Sequence, residues 1–83
     1  MIGSNLVIQK DVYWYNPGNS YSTITFDQLK ELYGIFNISA GNATAYAFMA
    51  IYFNNIIGNT IQVMCSRAGS TAPGAGYVSG IGI

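Results

Sequence analysis

A chain of 83 residues that is 51% hydrophobic and only 7% charged is long enough for one small domain, residues 1–83, and too short for a large core. Three basic residues, three acidic residues and no histidine leave no electrostatic footprint for nucleic acid and remove the usual general base and metal ligand together. An ordinary soluble domain carries roughly a quarter charged residues. A lone copy of this chain would therefore leave rings and aliphatic side chains in water, a pattern that marks an interface.

Residues 5–15 read as a strand. Leu6, Ile8, Val12 and Trp14 share one parity, and Val7, Gln9, Asp11, Tyr13 and Tyr15 the other. Lys10 interrupts the first set, so a bulge or an exposed middle is expected there. Asn16-Pro17-Gly18-Asn19 is a type II turn pattern, with Pro fixing φ and Gly accepting the left-handed conformation. Residues 21–26 follow as a short strand with Ile24 and Phe26 inward, and the two strands together predict a hairpin-like unit.

Residues 27–33 form the one helical candidate. Thr25 or Asp27 can cap it, Leu29, Leu32 and Tyr33 give an apolar stripe, and Gly34 can end it. Asp27, Lys30 and Glu31, with Lys10 and Asp11, mark the most solvated face. Residues 35–41 read as a loop or short edge strand.

Residues 43–66 carry no charge and organise the rest of the chain. They alternate through Ala43, Ala45, Ala47, Met49, Ile51 and Phe53 on one side and Thr44, Tyr46, Phe48, Ala50 and Tyr52 on the other, a strand whose two faces are both apolar. A helix competes for this run, but the dense aromatics and the following Gly58-Asn59 favour two strands joined by a two-residue turn. In the second strand Ile61, Val63 and Cys65 share a face, which makes Cys65 a small buried hydrophobe. Residues 67–76 lack periodicity. Residues 77–83 close as a glycine-alternating strand in which Gly80 and Gly82 share a face and allow a backbone or ring to come close.

No apolar run reaches the roughly 18 residues of a spanning helix; residues 35–53 are broken by Asn37, Ser39, Gly41, Asn42 and Thr44, so membrane insertion is not expected. Met1-Ile2-Gly3-Ser4 has no basic start followed by an apolar core, so a signal peptide is not expected. Asn37-Ile38-Ser39 and Asn42-Ala43-Thr44 match the glycosylation pattern by chance in so Asn-rich a chain. Cys65 has no histidine to activate it. Asp27 and Glu31 beside Lys30 read as a solvated cluster. Neither Gly74-Ala75-Gly76 nor Gly80-Ile81-Gly82 is followed by the Lys-Ser/Thr of a phosphate loop. No catalytic residue, metal ligand or cofactor is therefore assigned, and an enzyme is not expected.

The expected fold is mostly β (α+β): a small antiparallel sheet or sandwich of about five strands with one short helix near residues 27–33. Function then falls to the surface. Tyr46, Phe48, Tyr52, Phe53, Tyr77, Ile81 and Ile83 are candidates for an interface, since rings supply area with a polar tip. Tyr13, Trp14 and Tyr15 beside Asn16 and Asn19 are candidates for a ligand surface, an aromatic platform with amides that suits a sugar.

Sparse charge, richness in Asn, Gly, Ser, Thr and Tyr, absence of His, short strands and the glycine-spaced end at Gly80 and Gly82 resemble small bacteriophage and viral structural proteins of the tail-fibre, fibre-tip and capsid-decorating kind. The resemblance implies a homo-oligomer, with a trimer favoured, that joins other virion proteins. It would be made in the host cytoplasm and reside on the particle, where contact with a host-surface glycan is open to it. An adhesin-like carbohydrate-binding module is the alternative. A small hydrolase domain using Asp11 or Glu31 within a complex is a third.

Overall fold

A computed structural model describes residues 5–18, 20–42, 50–67, 70–71 and 73–83. The chain is mostly β, with seven strands among the described residues: β1 (Val7–Asn16), β2 (Ser22–Thr25), β3 (Leu32–Asn42), β4 (Ala50–Ile57), β5 (Thr60–Arg67), β6 (Ser70–Thr71) and β7 (Gly74–Gly82). One sheet has the order β1-β7-β3 and the other the order β2-β5-β4, with β6 added to β5. Every pairing is antiparallel.

The core lies between the two sheets. Trp14, Leu32 and Val78 from the first meet Ile24, Ile61, Val63 and Cys65 from the second. Phe26 and Leu29, in the connection from β2 to β3, are buried among them. Val12, Ile35, Ile51 and Phe53 flank this cluster, and Phe53 meets Trp14 edge to face with ring centroids 6.2 Å apart. The inward parity of Ile24 and Phe26, and of Ile61, Val63 and Cys65, follows the sequence pattern, as does the Gly58-Asn59 turn between β4 and β5.

The glycines of β7 set how closely the layers approach. A Cβ on Gly80 would stand 2.6 Å from the Phe26 ring and 2.8 Å from Leu32 Cδ1. One on Gly82 would stand 1.8 Å from the Glu31 carbonyl oxygen. The close approach expected at both positions is there, to a ring at one and to backbone at the other.

Three expectations are corrected. Residues 27–33 are not helical: Phe26 to Leu29 is a turn, closed by Leu29 N–H donating to the Phe26 carbonyl at 3.0 Å, and β3 starts at Leu32. The next backbone donors are taken by distant acceptors, Lys30 and Glu31 by the Ile83 carbonyl and Leu32 by that of Gly58. The Asn59 amide also donates to the Phe26 and Leu29 carbonyls at 3.2 and 3.1 Å. So short a helix is marginal alone, and tertiary partners capture its groups. From the other side Gln9 bonds Asp27 at 2.8 Å and the Gln28 N–H at 2.9 Å.

Second, β1 and β2 do not form a hairpin; β1 pairs with β7 and β2 with β5. The turn between them carries the chain from one sheet to the other. Gly18 holds φ 91°, and Asn16 Oδ1 accepts the Gly18 N–H at 2.8 Å, an Asx turn.

Third, the bulge expected at Lys10 falls between Gln9 and Val12 and reverses the parity of the rest of the strand. Asp11 takes φ 58° and donates its N–H to Ser79 Oγ at 3.2 Å. Gln9 therefore shares the inner face with Val12, Trp14 and Asn16, and Ile8 faces outward with Tyr13 and Tyr15. One extra residue flips every side chain beyond it.

Candidate functional site

The proposed ligand surface divides across the β1 strand. Trp14 is 2% exposed and Asn16 fully buried, so neither is available to a surface ligand, which corrects their assignment. The Trp14 Nε1 finds no hydrogen-bond partner among the described residues. Asn16 finds many. Its Nδ2 donates to Val63 O at 3.0 Å, Ser20 O at 2.8 Å and Ser22 Oγ at 2.7 Å, and its Oδ1 accepts the Cys65 N–H at 3.1 Å. It is an internal fastener between the sheets. Asn19 lies outside the described residues. Tyr13 and Tyr15 are exposed.

The proposed interface residues do not form one surface. Tyr46 and Phe48 lie outside the described residues. Phe53 is half-buried against Trp14 and belongs to the core margin. Tyr52 is exposed and, opposite Met64, lies on the outer face of the second sheet. Tyr77 and Ile81 stand on the outer face of the first sheet, Tyr77 exposed and Ile81 half-buried. Ile83 is half-buried, with its backbone holding the turn before β3.

The register of the first sheet assembles its outer face row by row. Ile8, Ile81 and Gly34 form one row, Ser79 and Phe36 the next, Tyr13, Tyr77 and Ser39 the third, and Tyr15, Ala75 and Gly41 the last. Tyr13 is 58% and Tyr77 48% exposed, and their rings meet edge to face at 5.7 Å. Ile8, Tyr15 and Phe36 are exposed with them. Lys10 and Asp11, both exposed, take the β1 side of the second row opposite Ser79, and the large apolar side chains lie mainly over β1 and β7. On β3 this face offers Gly34, Ser39 and Gly41 besides Phe36.

The outer face of the second sheet differs. Thr23, Gln62 and Asn54 form one row, and Thr25 and Thr60 lie beside it. Polar side chains share this layer with Tyr52 and Met64 and with Ile57, which is exposed opposite Thr60.

Long edge strands are interrupted. β1 is bulged at Asp11; β3 shifts register between Phe36 and Ser39, with Asn37 at φ 53°; β4 shifts between Asn54 and Ile57, with Asn55 at φ 61°. Asn and Asp tolerate the left-handed conformation best among residues with a Cβ, so residue type and bulge agree at all three.

Among the described residues no pocket opens and no three metal-binding side chains converge. Burial raises the Cys65 thiol pKa, with a backbone bond from Gly74 acting in the opposite direction. The described surface offers a ligand or partner chiefly two sheet faces, one richer in rings and the other mixing polar side chains with Tyr52, Ile57 and Met64. Comparison with family models, with curated proteins and with solved structures finds no match to this chain.

Proposed function

We propose that this chain is a non-enzymatic assembly subunit, of a virion in the tail-fibre or capsid-decorating manner, that works by packing against copies of itself and other particle proteins. The observation that carries this reading is the outer face on which Ile8, Tyr13, Tyr15, Phe36 and Tyr77 are exposed together. Patches of this kind on small proteins mark interaction sites. The virion assignment rests on the compositional resemblance.

Sedimentation velocity at micromolar concentration tests the assembly reading. An oligomer is expected, and a monomer that unfolds cooperatively overturns it. The neighbouring genes test the virion assignment, which requires capsid or tail genes beside this one.

Carbohydrate binding is the second reading, and the exposure of Tyr13, Tyr15 and Tyr77 favours it. The edge-to-face contact of Tyr13 and Tyr77 breaks up the flat platform on which a sugar ring would stack. A glycan array with Tyr13→Ala as its control decides this reading: binding that the substitution abolishes supports it, and a blank array removes it.

A further inference from the structure

We draw no further inference here: the strongest candidate, the patch on the outer face of the β1-β7-β3 sheet where the exposed rings of Tyr13 and Tyr77 meet close to Lys10 and Asp11, belongs to the surface already described, and nothing in the structure shows what covers it.

Discussion

The side-chain oxygen of Asn16 accepts the backbone N–H of Cys65 at 3.1 Å, joining the end of β1 to the centre of the opposite sheet. On that side of β5, β2 ends opposite Val63 and β6 begins opposite Ser66. Val63 O and Cys65 N fall in the gap between them, and the Asn16 amide bonds both. A side chain here does what a missing peptide unit would have done.

Asn16→Ala should cost about 3 kcal/mol, because it strands buried backbone groups that each carry a desolvation penalty of about 1–3 kcal/mol. Urea unfolding followed by the emission of Trp14, the single tryptophan, measures it. A loss below about 1 kcal/mol would mean that water or neighbouring groups replace the amide.

Gly80→Ala should destabilise by about 1–3 kcal/mol through overpacking against Phe26 and Leu32. Gly82→Ala should be worse, since its Cβ would meet the Glu31 backbone and not a side chain that can move. Gly34→Ala is the control: nothing lies within 4 Å of its Cβ, and thermal unfolding should change little.

Asn37→Val should lose about 1–2 kcal/mol, since a β-branched residue is strained at φ 53°. Asn37→Gly should hold wild-type stability within about 0.5 kcal/mol, because glycine adopts that conformation freely. Equal losses in the two variants would show that the Asn37 side chain, and not its backbone angle, holds the bulge.

Burial favours the neutral thiol of Cys65 over the thiolate. Above the unfolded thiol pKa the folded protein then holds the more protons, so unfolding free energy falls as pH rises. The contribution is fully present below pH 9.0, the ordinary thiol value, and is lost as pH climbs toward the folded one. Cys65→Ala should flatten this alkaline slope. Native Cys65 should react with a thiol reagent only as fast as the chain opens, and rapid stoichiometric labelling would contradict its burial.

Much of the local structure was legible in the sequence. The period-two pattern of Ile61, Val63 and Cys65 gave the inner face of β5, the Gly58-Asn59 pair gave its turn, and Gly80 announced a close approach. Long-range choices were not legible. Phe26, Leu29 and Leu32 fall at helical spacing, and only their partners at Gly58, Asn59 and Ile83 turn that spacing into a turn followed by a strand. The site suffered from the same limit. The bulge at Lys10 was visible, but its effect on parity depends on the register with β7, which leaves Tyr13 and Tyr15 outside and puts Trp14 and Asn16 inside. Asn16 beside Pro17 signalled a turn, and nothing local showed that its amide would also serve β5.

The placement of β7 between β1 and β3 also dictates when the protein can be completed. Those two strands do not pair with each other, so their sheet cannot exist until residues 74–82 have cleared the ribosome. The β4–β5 hairpin can close earlier, but Trp14, Leu32 and Ile35 must wait for β7. Nascent chains therefore carry unprotected rings until β7 has emerged, and a chaperone that shields them should raise the yield of folded product.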